Sequence, residues 1–334
     1  MCISVLSTSH PDYPFILISN RDEYISRPTL RANWWDPPNQ QVLGGRDTQR
    51  AERGTWLGIT KQGRIAVLTN FREEGVEVNK DKSRGAITNS YLCIPPESKE
   101  TEEDYVRRLL NETGIHDVGG FTLIFGKLRS PRDQQRVTPG LAIVSNRTSS
   151  AESLTRIATT PNETHGLSNS HYGDRTWPKV VHGEELLSKT IQTSTQTHQP
   201  QSELIESLFR ILSIDTLPKR HHTEDWDAYV RHMRDSILIS PAKGELAKRM
   251  ANYVPASTSS LEKEASARTD TPDHAQLPVS ETAYGTSKQT VILVDTKGKV
   301  TFVERTLFDQ DGRLVKEHER DLRYEFEIEG WEDV

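Results

Sequence analysis

The chain has 334 residues, 34% of them hydrophobic and 27% charged, with a net charge of −6. That length buries a sizeable core, and the low apolar share points to an ordinary core diluted by polar insertions. The negative balance argues against a general nucleic-acid binder, which carries a basic surplus, and no stretch approaches the roughly 18 apolar residues that span a bilayer.

In chain order, Cys2–Leu6 reads as a short strand, His10-Pro11-Asp12 as a turn, and Tyr13–Ser19 as a second, apolar strand. Together they form a hairpin whose second strand runs out into Asn20-Arg21-Asp22-Glu23. Further strands are predicted at Thr55–Ile59, Ile65–Asn70, Phe121–Gly126 and Leu141–Ser145. A last hairpin joins Thr290–Asp295 to Val300–Arg305 across Thr296-Lys297-Gly298-Lys299.

Helices are predicted from the capping box Thr101-Glu102-Glu103-Asp104, from Trp177-Pro178 through Leu187, and over Ser202–Leu212 with its 3.6-residue periodicity. Residues 188–201 and 255–282 are too polar to offset their ordering entropy and read as loose insertions in a single domain, 1–334. Strands at both ends and helices between them indicate an α+β layer fold. The opening residues lack the basic flank and apolar run of a secretory signal, so cytosolic residence is the expectation.

Two cysteines, Cys2 and Cys93, make neither a metal site nor a disulfide framework, which fits a reducing compartment. Cys2 is the informative one. Removal of Met1 would leave it with a thiol and a free α-amine, whose ordinary pKa of about 7.7–8.0 suits it to take a proton from its own nucleophile. Read alone, the plainer reading of Cys2 is a small apolar residue that suits a strand. Hairpin geometry sets Asn20-Arg21-Asp22-Glu23 beside that terminus, where Asp22 would hold an ammonium and Arg21 would lower a thiol pKa or bind a carboxylate. The plainer reading of that cluster is a solvated turn.

Asn70 and Asn169 carry side-chain amides of the kind that stabilise an oxyanion, and each also suits a turn. Gly44-Gly45-Arg46-Asp47 and Gly54-Thr55-Trp56-Leu57-Gly58 are expected to form tight turns beside a cleft, and neither is a phosphate loop. Cys93 is expected as a buried thiol, Trp34-Trp35 as core edge, and His171 and His221-His222 as surface or cap residues unless haem is assumed.

In order, Met1-Cys2-Ile3, Asn20-Arg21-Asp22-Glu23, Gly44-Gly45-Arg46-Asp47, Gly54-Thr55-Trp56-Leu57-Gly58, Thr69-Asn70-Phe71-Arg72, Ser83-Arg84-Gly85, Gly166-Leu167-Ser168-Asn169-Ser170, Tyr284-Gly285-Thr286 and Phe302-Val303-Glu304-Arg305 resemble the motif series of the NRDE, or transport and Golgi organisation, family. The resemblance implies roles in Golgi organisation, protein secretion and haem, lipid or acyl-CoA homeostasis, in cytoplasm, Golgi or mitochondria. It implies a small hydrophobic or acyl ligand, no required cofactor or metal, haem as a transported ligand, and peripheral rather than transmembrane association. Arg21, Arg46, Trp56 and Arg72 are the candidate ligand-binding side chains.

The pattern is also similar, more distantly, to the cysteine class of N-terminal nucleophile hydrolases, which includes penicillin V acylase, bile-salt hydrolase and acid ceramidase. That resemblance implies a four-layer αββα sandwich and cleavage of linear amides or thioesters. Cys2 would be the nucleophile, Asp22 the conserved aspartate, and Asn70 and Asn169 the oxyanion donors. Arg21 departs from the pattern, standing immediately before Asp22 where those enzymes carry the arginine further upstream.

Overall fold

The computed structural model describes residues 2–71, 73, 83–130, 138–219, 225–253 and 283–332. It opens with the expected antiparallel pair, β1 (Ile3–Ser7) and β2 (Phe15–Tyr24), with Ile3 opposite Asn20 and Ser7 opposite Ile16. A meander follows: β3 (Thr29–Trp34), β4 (Val42–Asp47), β5 (Leu57–Thr60) and β6 (Arg64–Asn70). Two helices, α1 (Arg84–Leu92) and α2 (Glu102–Arg108), precede β7 (Phe121–Lys127), β8 (Leu141–Ser145), β9 (Thr155–Ile157) and β10 (Thr164–Leu167). Then come α3 (Pro178–Thr197), α4 (Gln201–Leu212), α5 (Trp226–Arg231) and α6 (Gly244–Asn252). The strands β11 (Tyr284–Val294), β12 (Lys299–Arg305) and β13 (Asp321–Glu327) complete the order.

Among the described residues these strands form two antiparallel sheets, one ordered β10-β1-β2-β11-β12-β13 and the other β3 through β9 in chain order. Period-two alternation divides each strand between two cores. Leu6, Phe15, Leu17, Leu43, Leu57, Ile59, Ile292 and Phe302 fill the space between the sheets. On the outer face of the first sheet, Ile3, Val5, Ile16 and Ile18 meet Leu187, Leu204, Leu208 and Phe209 of α3 and α4. On the outer face of the second, Ala66, Leu68 and Phe125 meet Tyr91 of α1 and Tyr105 of α2. Helix, sheet, sheet, helix is the αββα sandwich that the resemblance implied.

The capping box at α2 is present, with the Thr101 hydroxyl accepting from the Asp104 amide at 3.1 Å. The closing hairpin pairs Val294 with Val300 as expected.

Three expectations are corrected. Asn20-Arg21-Asp22-Glu23 does not follow the strand but continues it, because β11 offers a partner as far as Tyr284 opposite Tyr24. Gly44 and Gly45 lie inside β4, and Leu57-Gly58 inside β5, not in turns. Glycine is needed in β4 for close approach: a Cβ on Gly44 would sit 2.7 Å from the Leu57 carbonyl oxygen, and one on Gly45 would sit 2.6 Å from the Trp56 ring.

The third correction is that residues 188–197 extend α3 instead of forming a loose insertion. Ile191 and Ser194 continue its buried stripe, while Thr193, Thr195 and Thr197 donate to carbonyls four residues back at 2.9–3.0 Å. The helix ends at His198, whose φ of 49° is left-handed. The insertion expected at 255–282, Arg72, and His221-His222 lie outside the described residues.

Candidate active site around Cys2

β1 and β2 set Cys2 at one end of the first sheet, one residue before the paired strand. Cys2 is partly exposed. The Asp22 amide donates to its sulfur at 3.4 Å, and the thiol donates to the Asp22 main-chain carbonyl at 3.8 Å. Burial pushes the thiol pKa above its ordinary value, the Asp22 carboxylate adds to this, and Arg21 opposes it. The resting thiol therefore keeps its proton and needs a base to become a nucleophile.

On β2 the side chains of Arg21 and Asp22 leave on opposite faces, as alternation requires. Asp22 is 6% exposed, and its Oδ1 accepts from the Thr286 hydroxyl at 2.7 Å. Thr286 is held in turn by the Ile239 amide, which donates to its Oγ1 at 2.9 Å. Arg21 faces the space between the sheets, where its guanidinium lies 4.3 Å from the centroid of the Trp56 ring and donates to the Ser287 hydroxyl at 3.1 Å. The bare backbone of Gly45 lets Trp56 lie against β4. Asn20 does not belong to the chemistry: its amide donates to the Leu212 and Ile237 carbonyls at 2.8 and 2.9 Å, fastening the end of α4 to the sheet.

The second wall comes from the segment after β10. Ser168 Oγ donates to the Cys2 carbonyl at 2.6 Å. Its neighbour Asn169 donates through Nδ2 to the main-chain carbonyl of Asn70, which ends β6 on the other sheet. Thr122 of β7 adds a hydrogen bond to the Ser170 carbonyl at 3.0 Å. One chain of contacts thus runs from Asp22 through Cys2 and Ser168-Asn169 to Asn70, joining four separate segments across both sheets. The Asn70 side chain itself is exposed. His171 packs edge-on to Phe71 and lies 3.6 Å from the Glu73 carboxylate, so it is already engaged as a cap.

Arg46 is not brought to this site. It shares the parity of Val42 on β4, so its side chain emerges on the helix-covered face, 4.2 Å from the Trp35 ring centroid, and donates to the Arg53 carbonyl at 2.9 Å. Cys93 lies near it as a thiol that burial raises to about 11, with Arg46 pulling the other way. Trp35 is core, as expected.

A cavity of about 300 Å³, mouth included, opens beside Ser168 and is lined by His171, Tyr172, Arg175 and Glu184. A larger groove of about 620 Å³ lies at the far end of β1, between Thr8, Phe15, Leu128, Leu141 and Trp331. Cys2 lines neither; its link to the smaller one is the hydrogen bond from the lining residue Ser168 to its carbonyl. No helix among the described residues is long and apolar enough to cross a membrane.

With this geometry in hand, the family follows. The family model for Transport and Golgi organisation 2 matches residues 1–309. The chain belongs to that family. Family relatives include the human Transport and Golgi organization protein 2 homolog, 28% identical over 320 residues, covering 95% of this chain and 94% of that protein. The Drosophila melanogaster Transport and Golgi organization protein 2 is 24% identical over 322 residues, covering 93% of each. Among solved structures, a Caenorhabditis elegans ortholog of N-acylethanolamine-hydrolyzing acid amidase is similar with a TM-score of 0.37 at 12% identity, covering 66% of this chain and 88% of that one. A mutant conjugated bile acid hydrolase from Clostridium perfringens gives a TM-score of 0.32 at 12% identity, covering 98% of each chain.

Sequence reasoning missed Lys179, the second residue of α3. It is 0% exposed, with its ammonium 5.7 Å from the Trp177 ring centroid. Burial lowers its pKa, while Asp22, then Cys2 and Asp235, raise it. The available signal was a cation in the first turn of a helix, where the macrodipole disfavours one. Ser168 and Thr286 sat inside quoted motifs without a role, because nothing in a linear motif says which hydroxyl meets which strand.

Proposed function

We propose that this chain is an N-terminal cysteine hydrolase acting on linear amides or thioesters. The observation that carries the reading is the fixing of the Cys2 sulfur by the main chain of Asp22, with Ser168 holding the Cys2 carbonyl and Asn169 beside it. Once Met1 is removed, the α-amine of Cys2 takes the thiol proton as the sulfur attacks the substrate carbonyl carbon, and the C=O π pair moves onto oxygen. The ammonium returns that proton to the leaving nitrogen or sulfur as its bond to carbon breaks. Water then attacks the thioester, with the amine again as base, releasing the acid and restoring the thiol. Asn169 and Asn70 are the oxyanion donors in this reading, Asp22 orients the amine, and Arg21 on Trp56 receives a substrate carboxylate or headgroup.

The names of its relatives set the biological expectation, transport and Golgi organisation, to which the family resemblance adds secretion and haem or acyl-lipid homeostasis. One observation favours a second reading, a carrier without turnover. The Asn169 amide is spent on the Asn70 carbonyl, a commitment that suits a fixed wall better than an open oxyanion hole.

Cys2→Ala separates the two. The hydrolase reading expects the wild type to be labelled at Cys2 by an electrophilic acyl probe and the variant to lose all labelling, while binding of haem or of an acyl lipid survives in both. An unlabelled wild type with Met1 removed leaves the carrier reading standing.

A further inference from the structure

Strand pairing in the first sheet sets its side chains in rows that cross the strands. Leu6, Leu17, Ile292 and Phe302 form one such row, and it belongs to the apolar core between the sheets. Residues directly opposite share a face and alternate residues return to it, so the next rows toward Cys2 face the same space. The first of these is Ser4, Ser19, Thr290 and Glu304, and the outermost is Arg21 and Lys288, which lie opposite each other. Ile3 opposite Asn20 puts Cys2 opposite Arg21, at the end of that outermost row. The space between the sheets is thus apolar along most of its length and turns polar at the Cys2 end.

The facing wall agrees. Thr69 of β6 shares the parity of Ile65 and Val67, which lie in the same core. It is 1% exposed, and its hydroxyl has no hydrogen-bond partner among the described residues. The next residue, Asn70, accepts from Asn169, so Thr69 stands at the Cys2 end of the space. A buried hydroxyl without a partner is rare enough to need a reason, and a ligand supplies one.

Charge at this end is unbalanced. Arg21 lies 4.0 Å from Glu23, Arg27 lies 2.6 Å from Asp47, and Arg31 lies 3.8 Å from Glu304. Glu304 also accepts from the Ala32 amide at 3.0 Å. Lys288 is the cation left over: its Nζ donates to the neutral Thr306 hydroxyl at 2.8 Å. Burial lowers its pKa to about 8 against the opposing pull of Glu304, so at pH 7 it is mostly protonated. A surplus cation held largely out of water is costly unless an anion comes to meet it.

We propose that Arg21 and Lys288 form a subsite between the two sheets for a carboxylate carried by the substrate, with Lys288 selecting acidic substrates over neutral ones. The inference rests on the hydrolase reading above and names its substrate class: an amide or thioester bearing a carboxylate several bonds from the carbonyl that Cys2 attacks. Neighbouring strands are about 4.8 Å apart, so Arg21 and Lys288 stand roughly 5 and 10 Å from Cys2 along the row, the reach of about four to six bonds. A carboxylate there receives the Arg21 fork and the Lys288 ammonium as charge-assisted donors. Arg21 is already steadied for that task by the Trp56 ring at 4.3 Å and by the Ser287 hydroxyl at 3.1 Å.

The test begins with binding, so that it does not depend on turnover. Full-length protein with carbon-13-labelled lysines is titrated with glutarate, and with 1,5-pentanediol as the neutral control. The Lys288 resonance is assigned as the one missing from Lys288→Arg. Glutarate is expected to bind and to raise the pH at which Lys288 titrates, and the diol to do neither. Lys288→Met is expected to weaken glutarate about tenfold or more, while Lys288→Arg, which keeps the cation, retains most of the affinity. An unmoved Lys288 titration in the wild type, or an unchanged glutarate affinity in folded Lys288→Met, overturns the proposal. If Lys288→Met does not fold, the wild-type titration decides.

Three thioesters then separate this proposal from the hydrolase reading. S-glutaryl-N-acetylcysteamine carries the carboxylate on the acyl side, S-butyryl-3-mercaptopropionate carries it on the leaving side, and S-butyryl-N-acetylcysteamine carries none. One of the charged pair is expected to acylate Cys2 about tenfold or more faster in kcat/KM than the neutral compound, and Lys288→Met to remove that preference. Which of the two is favoured tells on which side of the scissile bond the subsite lies. Acylation by all three at one rate overturns the proposal and leaves the hydrolase reading in place. No acylation by any, with glutarate bound through Lys288, removes the hydrolase reading and leaves the carboxylate site.

Discussion

Two carboxylates stand at opposite ends of β1, and the protein treats them differently. At the far end, Glu163 accepts from the amides of Ala158, Thr159 and Thr160 at 2.6–2.9 Å, from two threonine hydroxyls, and from His165 Nε2 at 2.7 Å. Burial would raise its pKa, but the hydrogen bonds from Thr160 and His165 outweigh it and hold the carboxyl at about 2. At the near end, Asp22 accepts from the Thr286 hydroxyl and faces the buried Lys179, whose protonated form it favours against the effect of burial. A carboxylate fastened by main-chain amides is a structural knot, because those amides cannot leave and cannot be titrated. A carboxylate held by a side-chain hydroxyl keeps room for a further partner, the place that the hydrolase reading gives to the Cys2 amine.

The comparison breaks most readily at Asp22. Asp22→Asn weakens the acceptor of the Thr286 hydroxyl and removes the charge that most favours a protonated Lys179, a change expected to lower the melting temperature clearly. Asp22→Asn combined with Lys179→Met should recover part of that loss, because it removes the buried amine as well. An Asp22→Asn protein that melts with the wild type would show that the pair carries no such coupling.

Glu163 is expected to give a smaller effect with a different pH signature. Its folded pKa lies below the ordinary value near 4.5, so its contribution is present above about pH 4.5 and is lost as the pH falls through about 2. With a fifth of the side chain exposed, that contribution is about 1–2 kcal/mol after allowance for solvent screening. Glu163→Gln should lose this at neutral pH and show a shallower decline in acid. Denaturant titrations at about pH 7 and pH 3 would check it, and parallel losses at both would contradict the assignment.

How these regions were legible in the sequence follows the same division. The β1–β2 hairpin was readable because His10-Pro11-Asp12 is turn chemistry between two apolar runs, and its register then placed Asp22 beside Cys2 without further information. The periodicity of α4 and the capping box of α2 were readable for similarly local reasons. Gly44 and Gly45 misled because glycine marks both turns and close approach, and only the positions of Leu57 and Trp56 tell which is meant. Arg46 misled for a reason that parity could have caught, since it lies two pleats from Val42 and so on the helix-covered face. The polar run after Leu187 hid a helix because three threonines bond back to their own backbone, a pairing composition does not record. Lys179 was invisible for the deepest reason: Asp22, the carboxylate that favours its protonated form, is on β2, more than 150 residues earlier in the chain.

The hydrolase reading of the near end of β1 depends on Cys2 bearing a free α-amine and forming a bond to an acyl group through its sulfur. Intact mass spectrometry of the purified protein, before and after exposure to an activated acyl ester, tests this most directly. The account predicts a species lacking Met1 that gains a single acyl group, with the adduct mapped to Cys2. A protein that retains Met1, or one that lacks Met1 and gains its acyl group elsewhere, would contradict it.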